Sequence, residues 1–522
     1  MAKAPVAVSP PAVVVKSPGL LTFGIMTAVI MQVLDTTIAN VALPHMRASL
    51  GASQDEINWV LTSYIVASAI ATPLTGWFAD RIGRRRLLLG AVFGFTGASL
   101  LCGLASSLEQ MVLFRVVQGV CGAVLVPLAQ ATMMDINPRE RFGQAMAVFG
   151  AGIMIGPIIG PTLGGWLTET FNWRAVFLVN LPVGALAAFV LIALMPASKI
   201  NLRRFDFFGF GLLAVAVACV QLLLDRGQSV GWFDATEIWL YLLIGIASAW
   251  MFVVHCATAA NPFIDLKMFS DRNFATGTLF IFVIGITMFA GLALLPPMLQ
   301  NLMGFPVIET GIVMAPRGVG TMVSMILVGR LVSRVDARIL VVLGTLLTAY
   351  SLYMMTQFDI VMGTGPIMMS GFIQGIGLGL VFVPLNTLAF ATIAGRYRVD
   401  ATSMFSLVRN VGSGVGISIV TSVLANMQVI NRAELGERIT LDNAALRDLA
   451  AAYGGFGRIV SSVNGLLSQQ AAMMSFLDDF YLMMLVTLAS LPIVLLLRRP
   501  KPAAPQAAAA KSEEPQHMAI ME

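Results

Sequence analysis

Apolar runs long enough to cross a bilayer recur along almost all of this 522-residue chain, and they exclude nearly every soluble fold. A helical span needs about 20 mostly apolar residues. Its backbone must satisfy its own hydrogen bonds, because lipid offers none. Such runs fall at residues 20–44, 56–78, 87–106, 109–133, 142–167, 175–196, 206–225, 236–256, 274–298, 307–328, 339–357, 365–391, 401–427 and 477–497, fourteen in all. Their apolar length, not a periodic face, identifies them. Residue usage agrees with an all-α integral membrane protein. The chain is 57% hydrophobic and 11% charged, where a soluble chain carries about 25% charged residues. The run from Gly19 to Pro44 exceeds a signal-peptide core and further spans follow, so it reads as an uncleaved first helix.

Charge sets the orientation. Arg81, Arg84, Arg85 and Arg86 close the stretch Gly76–Arg86 between two apolar runs, where lipid would not tolerate them. With the N-terminus inside and sides alternating, most Lys and Arg fall on the inner side, the positive-inside pattern. An odd number of spans would spoil it, so both termini are expected in the cytoplasm. The flanking spans make a nucleic-acid reading of the basic cluster untenable. Cys102, Cys121, Cys219 and Cys256 lie in or beside apolar runs with no Cys-x-x-Cys pair, and read as buried thiols. The arm before Gly19 and the Pro-, Ala-, Lys- and Glu-rich tail after Leu497 are expected to be disordered.

One outer segment is long, residues 428–476, with Arg432, Glu434, Glu437, Arg438, Asp442, Arg447, Asp448 and Arg458. Ala444 to Ala452 reads as a short helix, Gly454, Gly455 and Gly457 interrupt it, and Val460 to Met474 reads as a second helix. The segment suits either a cover over the outer mouth or a docking surface.

The chain repeats weakly. Gly76–Arg85 has an echo in Gly329–Arg338, with Ser333 and Asp336 replacing Asp80 and Gly83. Gln118-Gly119 followed by Pro127 is echoed by Gln374-Gly375 followed by Pro384. Spans two and four thus pair with ten and twelve, an offset explained by six spans, then two, then six. Repeated bundles around a midplane site are a transporter arrangement.

Polar groups within the spans mark candidate sites. Asp35 reads either as a proton-exchanging acid or as half of a packing ion pair, because a buried carboxylate must be paired or protonated. Arg115 cannot easily lose its proton and must face a carboxylate, carbonyls or a wet cavity, in a coupling or a structural role. Arg317 and Arg409 could bind an anionic group or snorkel to the surface. In span five, Gly152, Gly156, Gly160 and Gly164 recur every fourth residue, next to Gly165, and put small residues on one helix face. Pro157 and Pro161 bend that helix. The pattern fits a close, moving interface or a kinked static one.

These residues together resemble the 14-span drug:proton antiporters of the major facilitator superfamily, in particular the multidrug efflux pumps that work with a membrane fusion protein. The resemblance runs over residues 20–497. Gly76, Asp80, Gly83 and Arg84 are similar to the family loop between spans two and three, and imply gating. Leu113, Arg115 and Gly119 are similar to the span-four motif linked to proton coupling. Gly156-Pro157 with Gly160, Gly164 and Gly165 resembles the antiporter motif, and Leu34–Pro44 the span-one motif. Leu224–Gly227 and Asn261–Leu266 resemble family segments around the two central spans.

The resemblance implies two six-helix bundles plus two additional transmembrane helices. Residues 1–18 would form a cytoplasmic arm, 19–196 the first bundle, 197–273 the added spans and linkers, 274–497 the second bundle with the periplasmic segment 428–476, and 498–522 the tail. It implies a secondary active transporter of the bacterial inner membrane rather than an enzyme. Amphiphilic drugs or toxic hydrophobic compounds would leave as protons enter, with a periplasmic membrane fusion protein and an outer-membrane channel as partners. No cofactor or metal is expected, and no Gly-x-x-x-x-Gly-Lys-Ser/Thr loop for ATP is present. Met31, Gln32, Tyr64, Gln118, Met288, Phe289 and Gln374 are cavity candidates beside Arg317 and Arg409. A narrow metabolite, fatty-acid or lipid exporter, and a transport-inactive sensor or scaffold, are the alternatives.

Overall fold

The computed structural model describes residues 17–498 apart from 139–140, 198–199, 203, 333, 438, 440–446 and 448–455, with backbone alone at 54, 55, 307 and 456–459. Thirteen of its helices are long and apolar enough to span a membrane, and a bent helix pair makes the fourteenth. In chain order the spans are α1 (Pro18–Leu50), α2 (Trp59–Ala71 continued as Leu74–Ile82), α3 (Arg84–Leu104), α4 (Leu108–Gly122 continued as Leu125–Ile136) and α5 (Phe142–Thr170). Then come α6 (Ala175–Leu194), α7 (Phe207–Arg226), α8 (Thr236–Thr258), α9 (Arg272–Pro297) and α10 (Val307–Leu331). The last four are α11 (Ala337–Met355), α12 (Thr364–Phe390), α13 (Arg398–Glu437) and α14 (Phe456–Ala489).

Local chemistry explains the breaks. Pro18 starts α1, where a missing N–H costs nothing, and Gly51 ends it in a left-handed turn at φ 65°. The 59° bend in α2 falls at Thr72–Pro73, because proline removes one rung of the helical ladder. Gly83, at φ 85°, turns the chain from α2 into α3, a backbone geometry suited to glycine. Its counterpart in the second half is not glycine. Asp336 sits at φ −58° and accepts a hydrogen bond from the Arg338 N–H at 3.1 Å, so the echoed loop caps α11 instead of making the same turn.

Helices α1–α6 form one bundle and α9–α14 the other. The two meet along α5 against α10, and again where the C-terminal part of α2 touches α13. Between them α7 and α8 pack chiefly on each other, with α7 also touching α2 and α13. Helix α8 is the most peripheral span and leaves Trp239, Leu240, Leu243, Ile246 and Trp250 exposed, as a lipid-facing helix does.

The expected span ends at 427 and 477 are too short. Residues 428–437 continue α13 and residues 456–476 belong to α14, so Val460–Met474 is the N-terminal part of a span helix and not a separate one. Cross-helix polar contacts sustain the extension. The Asn431 amide donates to Ser475 Oγ at 3.1 Å and to Asp478 at 3.0 Å, and Arg432 donates to Asn464 at 2.8 Å. The expected helix at Ala444–Ala452, with Arg438, Asp442, Asp448, Gly454 and Gly455, lies outside the described residues except Arg447, as do Ser333, residues 1–16 and residues beyond 498.

Candidate functional site

The first bundle encloses a buried polar cluster around Asp35 in α1. Arg115, from α4, points its Nη1 at Asp35 Oδ2 at 2.6 Å and at Gln118 Oε1 at 2.7 Å. Gln118 Nε2 and Asn180 Nδ2 both donate to Asp35 Oδ1, at 2.8 and 2.7 Å. Both amides also donate to Ser99 Oγ. The Arg115 and Asp35 side chains are fully buried. Arg115 Nε donates to the Val60 carbonyl, and the guanidinium stands 4.3 Å from the Tyr64 ring centroid, a cation–π contact. Three N–H donors thus converge on two oxygens, an arrangement that an ionised carboxylate accepts. Five helices supply the cluster, α1, α2, α3, α4 and α6, and its charges balance within it.

A second feature lies between α5 and α10. Met154, Pro157, Ile158, Pro161, Met288 and Arg317 line a cavity of about 30 Å³. That is room for about one water, far below the roughly 300–1,000 Å³ of a drug-sized pocket. Arg317 is 7% exposed. Its Nη2 donates to the Met288 carbonyl at 3.1 Å, while Nη1 is a buried donor with no partner among the described residues. Gln374 lies beside it, 1% exposed, with its Oε1 likewise unpartnered. A Cβ on Gly291 would come within 3.5 Å of the Arg317 guanidinium and 3.8 Å of the Gln374 amide, so that glycine keeps the space before both groups open.

The glycine stripe of α5 faces α1. A Cβ on Gly156 would come 2.6 Å from Val33, and one on Gly164 would come 3.2 Å from Ile38. Gly152 and Gly160 lie against Met26 and Thr37. Pro157 and Pro161 instead face the cavity, where Gly311 and Gly318 of α10 meet Thr162 and Ile158. One helix therefore packs tightly on its own bundle and forms the seam with the other.

At the end that carries the Gly76–Arg86 stretch the bundles are joined by charge. Asp135, at the end of α4, pairs with Arg84 and with Arg398 of α13. Gly76 abuts Asp400 of α13, where no side chain fits. Gln130 of α4 donates to Asn386 of α12 at 2.7 Å. The Asp80 carbonyl accepts from the Asn201 N–H at 2.8 Å, which ties the linker before α7 to the same loop. Asp265, in the linker before α9, accepts from the Tyr397 hydroxyl at 2.7 Å and the Lys267 N–H at 3.0 Å. Partial burial opposes ionisation there, but these donors outweigh it and hold the carboxyl below its ordinary range.

The sequence candidates therefore separate. Asp35, Arg115 and Gln118 come together, with Tyr64 stacked on the guanidinium and Gln32 donating to the Tyr64 hydroxyl at 3.0 Å. Met288 and Arg317 line the cavity, and Gln374 adjoins it. Met31 is fully buried core, Phe289 packs on that core, and Arg409 is half-buried, all away from the cavity wall. Ser99, Asn180, Asp135, Arg398, Asp400, Gln130 and Asn386 escaped the sequence reading. Asn180 carried a signal, a polar amide inside the sixth apolar run.

A family profile described as Major Facilitator Superfamily matches residues 25–417. Multidrug export protein EmrB of Escherichia coli (strain K12) is 32% identical over 456 residues, covering 86% of this chain and 89% of the relative. Fatty acid resistance protein FarB of Neisseria gonorrhoeae is 33% identical over 457 residues, 86% of this chain and 90% of the relative. Among solved structures, the human organic anion transporter MFSD10 (TETRAN) superposes with a TM-score of 0.57 at 14% identity, covering 92% of this chain and 100% of the other, which speaks to the fold alone.

Proposed function

The chain belongs to the major facilitator superfamily, among its multidrug drug:proton antiporters, and on that premise we propose that it exports amphiphilic compounds in exchange for protons by alternating access. It is a secondary active transporter and not an enzyme. The observation that carries the reading is the fully buried Asp35–Arg115 pair with its two amide donors. A proton arriving at Asp35 competes directly with Arg115 and the amides of Gln118 and Asn180. Protonation neutralises one partner, leaves a buried guanidinium without its counter-charge, and so favours a conformation in which Arg115 is solvated or paired elsewhere.

The cavity beside Arg317 is too small for cargo in this conformation, so cargo binding requires α5 and α10 to part. Met288, Arg317 and Gln374 are the cargo contacts we favour. The loop Gly76, Asp80, Gly83 and Arg84 serves as the inner latch, and the α5 glycines with Pro157 and Pro161 serve as the hinge surface. Amphiphiles are the favoured cargo class because the cavity wall is methionine, proline and isoleucine with a single cation, and because the relatives are named for multidrug export and fatty-acid resistance. The likeness to EmrB further supports placing the chain in a bacterial inner membrane, with both termini cytoplasmic, as part of a tripartite system with a periplasmic membrane fusion protein and an outer-membrane channel. Residues 19–196 and 274–497 would be the two transport bundles and 197–273 their added spans.

Purified protein in proteoliposomes with an imposed pH gradient tests the core of this reading. Addition of an amphiphilic cargo should drive proton movement, and reversing the gradient should reverse cargo movement. A panel of uncouplers, detergents and fatty acids that moves no protons in well-folded protein would refute export and leave a sensor or scaffold.

A further inference from the structure

We propose that the Asp479 carboxyl of α14 is a second proton-binding site, in the second bundle and independent of the Asp35 cluster, and that its proton is bound in the conformation described here. The side chain is fully buried. Neither carboxylate oxygen has a hydrogen-bond partner among the described residues. Asp35 in the first bundle is equally buried but accepts three N–H donors. An ionised carboxylate with no donor and no counter-ion in an apolar enclosure is costly by several kcal/mol, and a proton removes that cost. Phe476, Phe480 and Met483, near it on the same helix, are buried apolar side chains.

The charged surroundings do not supply a substitute for the proton. On α14 itself the neighbour is Asp478, a second carboxyl rather than a cation, whose Oδ2 accepts from the Asn431 amide. From α13, Arg432 is engaged with Asn464, and Glu434 and Glu437 are exposed beyond Asn431. Arg409 lies 22 residues from Asn431 along α13, about 33 Å at helical rise. From α11, Tyr350 and Tyr353 are exposed, and Arg338 is at the opposite end. Helix α9 carries only Arg272, bonded to the Leu496 carbonyl at the inner end. Asp479 stands 18 residues from Leu497, about 27 Å along the helix, which puts it near the outer boundary of the bilayer. A proton released on loosening of the Asn431–Ser475–Asp478 clasp would have a short way to the outer water.

The test compares thermal denaturation midpoints of the intact protein, in lipid nanodiscs, across pH. The neutral Asp479→Asn side chain matches the protonated acid in shape. The folded state holds a proton that the unfolded chain has already released, so wild-type stability must fall as pH rises, by up to tenfold in the folding constant per pH unit for one proton. The wild-type midpoint should therefore drop below that of Asp479→Asn with increasing pH, while the two agree at acidic pH. Should Asp479→Asn not insert, Asp479→Leu, neutral and of similar size, gives the same comparison. Infrared spectra provide a second readout: a carboxylic-acid C=O band at neutral pH that persists in Asp35→Asn and is lost in Asp479→Asn. Parallel pH curves for wild type and neutral variants, or a carboxylic-acid band unchanged by Asp479→Asn, would overturn the assignment.

Discussion

At the residue scale the decisive object is a charge that lipid would reject. Arg115 is stabilised by Asp35, the Val60 carbonyl, Gln118 and the face of Tyr64. Removing it strands a buried carboxylate, which costs about 3–5 kcal/mol. Arg115→Ala should therefore abolish gradient-driven export and lower the denaturation midpoint, while the protein still inserts. Arg115→Lys should recover activity only in part, because lysine lacks the planar fork that serves Asp35 and Gln118 together. Adding Asp35→Asn to Arg115→Ala should return part of the lost stability, because the stranded charge goes with it. Normal uphill export by Arg115→Ala in proteoliposomes would sink the coupling role. Asp35→Asn alone should still bind cargo, read by ligand-induced thermal shift, yet fail to concentrate it against a gradient. Undiminished proton-driven accumulation would rule Asp35 out as the coupling acid.

At the element scale α5 links the two bundles, because one face packs on α1 through glycines and the other lines the cavity through prolines. Leucine at Gly156 would drive its side chain into Val33, whose Cγ1 is already 2.6 Å from where a Cβ would stand. Overpacking of this kind costs about 1–3 kcal/mol or more. Gly156→Leu should trap or unfold the carrier, and Pro157→Ala should shift the balance between inward- and outward-facing states with little loss of stability. Cysteine-accessibility labels on the inner and outer faces distinguish these outcomes, and wild-type exchange in both variants would show that α5 is not a moving surface.

At the scale of the whole molecule two bundles are closed against each other at the end that holds Asp135. Asp135 serves two arginines, Arg84 from its own bundle and Arg398 from the other. Asp135→Asn removes the negative charge both arginines share and leaves them to repel. A loss of 1.4 kcal/mol is tenfold in population, so inter-bundle spin-label distances at the inner end should shift about tenfold toward the open state. Unchanged distance distributions would show that the ion pairs do not hold this conformation. The long outer ends of α13 and α14 yield a further prediction. Crosslinkers placed at Arg432 and Arg447 should capture a periplasmic adaptor, and shortening the extension should end envelope export but leave liposome transport intact. Crosslinks confined to the transporter, with adaptor affinity unchanged after shortening, would make the extension a cover over the outer mouth.

The sequence alone determined the all-α membrane class, the 13–14 spans and the glycine turn at Gly83, because each rests on a local property: apolar length, the cost of charge in lipid, or the backbone freedom of glycine. It also singled out Asp35 and Arg115, since an ionisable residue in an apolar run is conspicuous wherever it folds. It did not reveal that the two face each other, nor that Gln118 joins them rather than the cavity, because 80 residues separate Asp35 from Arg115 and only the packing of α1 on α4 and α6 closes that distance. Span length misled at α13 and α14, whose helices outrun the apolar core; there the polar clasp of Asn431 with Ser475 and Asp478 sustains helix where hydropathy had stopped. Asp135, Arg398 and Asp400 escaped the sequence reading because only the meeting of two bundles brings them together. The sequence reading did not single out Asp479, and only the enclosure around it decided that it has no partner among the described residues. Local chemistry is written in the chain one residue at a time; pairing and burial depend on which distant helices touch, and that was settled by the tertiary structure.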